Sequence, residues 1–423
     1  MSTDERQRKT WRPPEGFMPV ESRVEGVTVH APVPPEKEGS ELVSVGRCDR
    51  CGGEARFDAS TGRLRCGHCD SQRDVAAVEV GRDAREQEFR VATLERAARG
   101  WGAERTQVHC ESCGADIVVA ARALHVACAF CGSERVVTRS APQDALRPRY
   151  VLPFQIDTEH ARAILEEWLG SGWLQPEGLC KLAGSTSVQG VYLPAWTFDS
   201  LVVARWRVEV GRTVSTGDTT TTVWTVHRGN HAVVMDDEVS IAVGDLSRLL
   251  LSRIAPFNLD GLVEYDPEIL AGWQARVADV RIEEAWQEQR LAWRDKPREE
   301  AWKAIKENHS QLRRFMAVVD FTEESWRHVL VPVHVAAFKH RGKTHHVLIN
   351  GRTAAIAGQR PVDWWKVARW VAAGLAPAAV LGALATWLPD PPQGLIESAR
   401  FAVIVGVGFA AWLLHRAASE DDA

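Results

Sequence analysis

The chain has 423 residues, 45% hydrophobic and 25% charged, enough for two or three domains with cores of their own. Its net charge of −5 gives no global pull toward nucleic acid or anionic lipid. The polar start, Met1 to Lys9, has no apolar core and does not read as a secretory signal. The cysteines are therefore expected in a reducing cytoplasm, where paired cysteines bind metal rather than each other.

Residues 1–43 hold six prolines among charges and are expected to be a disordered tail. Next come four Cys-x-x-Cys pairs: Cys48/Cys51, Cys66/Cys69, Cys110/Cys113 and Cys128/Cys131. They form two units, 44–75 and 107–140, each with 14 residues between its inner cysteines. The second unit repeats the first 62 residues later. Two intervening residues let a tight turn aim both sulfurs at one point, and Gly52, Gly114 and Gly132 suit a positive-φ knuckle. A second knuckle on a hairpin completes a tetrahedral thiolate shell, the zinc-ribbon arrangement. Four cysteine ligands leave no position for water, so the zinc expected at each site is structural. Two pairs of disulfides are the alternative. Cys180 is left over as a free thiol.

Residues 76–106 are expected to be a linker, helical over 82–99, where good helix formers carry a thin stripe of Phe89, Val91 and Leu94. From 150 to 362 the pattern is that of a mixed α+β domain. Asp157 or Thr158 can cap a helix running to Trp168. Residues 188–210 and 219–243 alternate as strands do. Ile282, Trp286 and Trp293 fall on one helical face, and Pro297 starts a second helix. Strands are expected at 329–339 and 345–350. The pair Asn350-Gly351 predicts a type I′ turn into a further strand at 353–357.

The segment 366–416 reads as a transmembrane helical hairpin, followed by an acidic tail at 417–423. From Trp370 to Pro389 there are 20 residues without a formal charge, long enough to span a hydrocarbon core. Trp364, Trp365, Trp370 and Trp387 suit its interfaces. The second run, Phe401 to Leu414, has only 14 residues and needs Leu395, Ile396 and a snorkelling Arg400 to extend it. Lys366, Arg369 and Arg416 place both flanks in the cytoplasm, with Arg400 in the far loop weakening the contrast. A buried hairpin in a soluble core is the alternative.

No reaction is legible. Gly342-Lys343-Thr344 imitates the end of a P-loop, but the motif's first glycine would fall on Ala337 and the segment reads as a hairpin turn. His334, His340, His345 and His346 read as a solvated hairpin, and Asp236-Asp237-Glu238 as a solvated turn. The first ribbon has six arginines against five acids and the second three against three. Each zinc held by four thiolates adds about two negative charges, so the ribbons lack the positive excess that gripping phosphates requires. Protein contact is the leading expectation and membrane-tethered nucleic-acid binding the alternative.

Several motifs resemble a bacterial family with two N-terminal TFIIB-type zinc ribbons, a central domain and C-terminal membrane spans. They are the eight cysteines, Leu152-Pro-Phe-Gln-Ile156, Gly190-Val-Tyr-Leu-Pro-Ala-Trp196, Leu270-Ala-Gly-Trp273, Leu330-Val-Pro-Val333, and Asn350-Gly-Arg-Thr353 through Gly358. The likeness covers about 48–365, most of the chain. Members are often labelled primosomal or helicase-like through ribbon similarity alone. The usual Asn-Gly-x-Thr-Gly is broken here by Ala354. The resemblance implies a membrane-anchored, non-enzymatic protein of envelope-stress systems, associated with SPFH (stomatin-like) and phage-shock-type membrane-remodelling proteins.

Overall fold

The computed structural model describes residues 17–20, 29–32, 46–90, 93–94, 97–101, 105–120, 127–131, 133–140, 145–176, 178–179, 186–216, 219–340, 343–389 and 391–421. Cys180, Gly132 and most of the 1–43 tail lie outside these. Within that tail, expected as wholly disordered, Phe17–Val20 and Val29–Pro32 pair antiparallel; both segments carry β-prone apolar residues.

Three long strands organise the centre: Val188–Thr216, Thr219–Ile241 and Leu312–His340. The Val188–Thr216 strand lies in the middle, antiparallel to both others. Lys343–Asn350 folds back on the end of Leu312–His340, and Ile356–Gly358 pairs in turn with it. The central rows, Val191, Leu193, Val329, Val331 and Val333, are fully buried, as expected where both faces of a sheet are covered.

Helix Thr158–Gly170 is capped by Asp157, whose side chain accepts from the His160 amide at 2.7 Å. It packs Ala161, Leu165 and Leu169 against Val188, Ala336 and Ile349. Helices Ile282–Trp293 and Asp295–Asn308 cover the sheet further along. Trp286 and Trp293 of the first join Trp196, Phe198 and Trp326 in one cluster.

Four local expectations need correction. Across 82–99 the described residues hold a 3₁₀ turn at Gly81–Asp83 and a short strand, Gln87–Glu88, on the Ser325–Trp326 edge; only Thr93 and Leu94 are helical. Phe89, Leu94 and Ala97 pack on the tryptophan cluster, and around Phe89 that burial outweighs helix propensity. The strand expected to start at 329 starts at Leu312, because pairing with residues 188–210 extends it. The 350–355 loop is not a type I′ turn. Asn350 Oδ1 accepts from the Arg352 and Thr353 amides at 2.9 and 3.2 Å, and Ala354 takes the positive φ of 62°. Finally, the acidic tail is in part the last turn of a helix that runs to Asp421.

Two C-terminal helices, Trp364–Trp387 and Gln393–Asp421, are long and apolar enough to cross a membrane and leave most of their surface uncovered. At 24 and 29 residues they rise about 36 and 43 Å, against a hydrocarbon core of about 30 Å. Gly406 lies against the Gly374 carbonyl, where an added Cβ would stand 2.9 Å from the oxygen; such small residues let helices approach closely in lipid. The near end of the pair seats Val367, Leu413 and Ala417 on Leu174 and Val362.

Candidate metal centres

Each set of four cysteines converges. The sulfurs of Cys48, Cys51, Cys66 and Cys69 lie within 4.8 Å of one another, and so do those of Cys110, Cys113, Cys128 and Cys131. The closest pairs are Cys48–Cys69 at 3.6 Å, and Cys51–Cys66, Cys110–Cys131 and Cys113–Cys128 at 3.5 Å. A disulfide needs about 2.05 Å. The edge of a tetrahedron with Zn–S bonds of about 2.3 Å is about 3.8 Å. Both shells therefore fit a zinc ion, and neither is a disulfide pair.

The backbone repeats at the same displacement as the sequence. Cys48 N donates to Gly53 O at 2.9 Å and Cys110 N to Ala115 O at 3.0 Å. Cys66 N donates to Ser71 O and Cys128 N to Ser133 O, both at 2.9 Å. Gly52 and Gly114 take φ of 70° and 79°, as the knuckle requires. After Cys69 the corresponding role falls to Asp70, with φ 55°; Asp tolerates this region better than most residues.

The surroundings of the thiols act on them unequally. The Ser71 hydroxyl, 3.0 Å away, is the main reason that Cys48 is lowered to about 6. The Gly53 amide pulls Cys51 down, but hydrogen bonds with the Cys69 and Cys66 thiols dominate and raise it to about 12. Burial raises Cys128 to about 11. A divalent ion resolves this by holding all four as thiolates. Ser71 is a supporting donor that spacing alone did not single out. Its counterpart Ser133 bonds Ser112 at 2.8 Å instead.

Neither unit stands apart from the sheet. The first is a three-stranded sheet of Ala55–Asp58, Arg63–Cys66 and Gln72–Asp74. Its Phe57 amide donates to Ala271 O at 2.9 Å, and Trp273 Nε1 donates back to Phe57 O at 3.0 Å. Arg73 grips Glu268 with two bonds of 2.9 and 2.7 Å. The second unit joins the main sheet, since Ile117 and Val118 pair with Gln274–Arg276. Arg276, 3% exposed at its side chain, lies 4.9 Å over the Phe130 ring and pairs with Asp245 and Asp279 at 2.6 and 3.0 Å. Cys110, Cys128 and Phe130 share one buried cluster with Leu152, Val191 and Val333.

The apolar motifs converge too. Phe154 stacks on Trp273 (4.1 Å, 11°) and meets Tyr192 edge-on at 4.9 Å. Gly190 lies under Trp273 and Gly351 under Phe154, where added Cβ atoms would stand 2.0 and 2.5 Å from the rings. His334, expected on a solvated hairpin, is fully buried in this nucleus and bonds Ile156 O at 2.8 Å. Burial lowers it to about 4, so it is neutral at physiological pH. Lys343 begins a strand, not the helix a P-loop needs.

Asp236-Asp237-Glu238 also departs from its expected solvated turn. It lies in a strand beside a bulge at Phe198/Ser200, which turns Asp237 inward. Asp237 there bonds Arg327, 1% exposed at its side chain, which also holds Glu86 at 3.0 Å and Asp199 at 3.8 Å. Burial raises Asp199 to about 7.

These features define a coarse class: two four-cysteine sites built onto a large mixed sheet, with two apolar helices after it. No family model matches the chain, and no solved structure does. The chain is similar to an uncharacterized protein, YdjG, of Bacillus subtilis (strain 168). The two are 24% identical over 342 residues, covering 77% of this chain and 92% of that protein.

Proposed function

We propose that the chain is a zinc-ribbon adaptor, held in a bacterial inner membrane by its C-terminal hairpin, with its soluble part in the cytoplasm recruiting a protein partner. The observation that carries this reading is the pair of closed four-cysteine shells: each sulfur set is complete, so zinc there shapes a surface rather than activating water. The arginines of the first ribbon favour a protein over a nucleic acid. Arg56, Arg63, Arg65 and Arg73 are each paired with carboxylates, on Glu54, Asp74, Asp70, and Asp49 with Glu268, and such pairing withdraws them from phosphate. The helices' uncovered apolar surface supports the membrane anchor. The family resemblance supports SPFH (stomatin-like) or phage-shock-type proteins as partners, and an envelope-stress setting.

Affinity purification of the intact protein from membranes tests this, with zinc and bound proteins measured in one sample. Two zinc ions per chain, and a partner lost on Cys48→Ser or Cys110→Ser, are the expected result. A partner set untouched by both substitutions counts against ribbon docking, and co-purified nucleic acid overturns the protein-partner reading.

A further inference from the structure

An open slot lies along the outer edge of the Thr219–Ile241 strand. Among the described residues that strand pairs only with Val188–Thr216. The six consecutive residues Asp236 to Ile241 all line one cavity of about 600 Å³. Successive side chains of a strand point to opposite faces, so a cavity touching every one of them runs along the strand's edge, not across a face.

The hydrogen-bond phase agrees. The Ala242 amide donates inward to Pro194 O at 2.8 Å. Antiparallel ladders alternate, so Val239 and Ile241 direct their amides and carbonyls outward into the slot. The slot is also lined by Leu251 and Phe257 and by Gln289 and Ala292 of helix Ile282–Trp293. Arg248 and Glu288, which also line it, form an ion pair with each other. The regular part of this edge, Glu238 to Ile241, lies beyond the bulge at Phe198/Ser200 and is about 13 Å long, within the range of short β-strands.

The ends differ in charge. Asp237 is engaged by Arg327 and Arg82, whereas Asp236 and Glu238 are exposed at one end of the slot. Further along the strand the apolar residues Val239, Ile241 and Val243 join the lining, with Phe257 among them.

We propose that this slot is a peptide-docking site. It takes an extended segment of a partner protein by strand addition, with apolar side chains at alternate positions and a Lys or Arg opposite Asp236 and Glu238. The inference deepens the adaptor reading by giving the partner a second, zinc-independent contact. Its outcome is separable from that of ribbon docking, because no cysteine lines the slot.

The test uses the zinc-loaded full chain in nanodiscs and a phage-displayed random dodecapeptide library, followed by fluorescence polarisation of the enriched peptides. Val239→Pro removes an outward amide without breaking the ladder, and Ala292→Arg fills the slot from an exposed wall position. Enriched peptides should alternate apolar residues beside a basic one, and bind at least tenfold more weakly to both variants. Changing the basic residue to Glu should weaken binding by a similar factor. No enrichment over an empty-nanodisc control overturns the proposal, and so do peptides that bind both variants as well as the parent. Self-association of the parent that Val239→Pro abolishes would assign the slot to a second copy of the chain and overturn the partner peptide. Both variants must keep the parent's zinc content and melting temperature; if one does not, the comparison rests on the other and on the Glu-substituted peptide.

Discussion

Gly190→Ala is the sharpest test of the aromatic nucleus, because two ordinary expectations give opposite signs. Replacing a strand glycine by alanine normally stabilises by about 0.5–1 kcal/mol, since glycine loses more backbone freedom on folding. Here the new methyl would stand 2.0 Å from the Trp273 ring and 3.3 Å from Phe154. The indole must retreat by about 1.5 Å to reach a van der Waals separation. That movement breaks the Phe154 stack, worth about 0.5–1.5 kcal/mol. It also breaks the Trp273–Phe57 hydrogen bond, worth about 1 kcal/mol. Overpacking strain adds about 1–3 kcal/mol. The net is a loss of about 1.5–5 kcal/mol, or roughly 3–20 °C in melting temperature. Differential scanning fluorimetry of the zinc-loaded full chain in detergent reads this directly. The same substitution in a Trp273→Ala background should be close to neutral. A Gly190→Ala protein that melts at or above the parent temperature, or an equal loss in both backgrounds, would refute the packing argument.

Three further outcomes follow from the geometry. Chelation of zinc should lower the main unfolding temperature, because Cys110, Cys128 and Phe130 belong to the sheet's own cluster; circular dichroism melts with an unmoved main transition would contradict a shared core. Asp199 is raised to about 7 by burial, so the folded state holds its proton where the unfolded state, near the ordinary 3.8, has lost it. Its contribution to stability is therefore fully present below about 4 and falls as pH rises to about 7. The melting temperature of Asp199→Asn relative to the parent should accordingly be higher at pH 8 than at pH 5, and a pH-independent difference would sink this assignment. Ala354→Gly should stabilise by about 1 kcal/mol, since it relieves a left-handed residue at φ 62°; urea titration midpoints check it, and a lower midpoint means that the turn relaxes differently.

The metal centres were readable because their signal is local: two residues fix each knuckle, and the repeat fixes the pairing. Helix Thr158–Gly170 was readable for the same reason, its cap and stripe lying within 13 residues. The reach of the long strands was not. Residues 312–328 carry arginines and glutamates that resemble no strand until residues 199–210 are placed beside them. His334 and Asp237 were misplaced because polar residues in isolation read as solvated, whereas partners far along the chain, Ile156 and Arg327, bury them. The 82–99 segment has helix-forming composition, but Gln87–Glu88 pairs with a distant strand and Phe89 beside it packs on a distant tryptophan cluster, neither of which local composition reveals.

The pairing of Val210 with Leu312 joins residues separated by 102 positions. The hairpin formed with Thr219–Ile241 closes locally, but the third long strand must wait until the three intervening helices, Arg248–Ile254, Ile282–Trp293 and Asp295–Asn308, have been made. Contacts of that separation form late and slowly. Until they do, one edge of the central strand stays open, exposing an apolar row to other chains in the same state. The apolar helices come after every strand of the sheet, so synthesis supplies all the strands before either helix. A truncation before residue 312 would therefore do more than remove a strand. It would leave the central hairpin with an unpaired edge, and such fragments are expected to be recovered as aggregates.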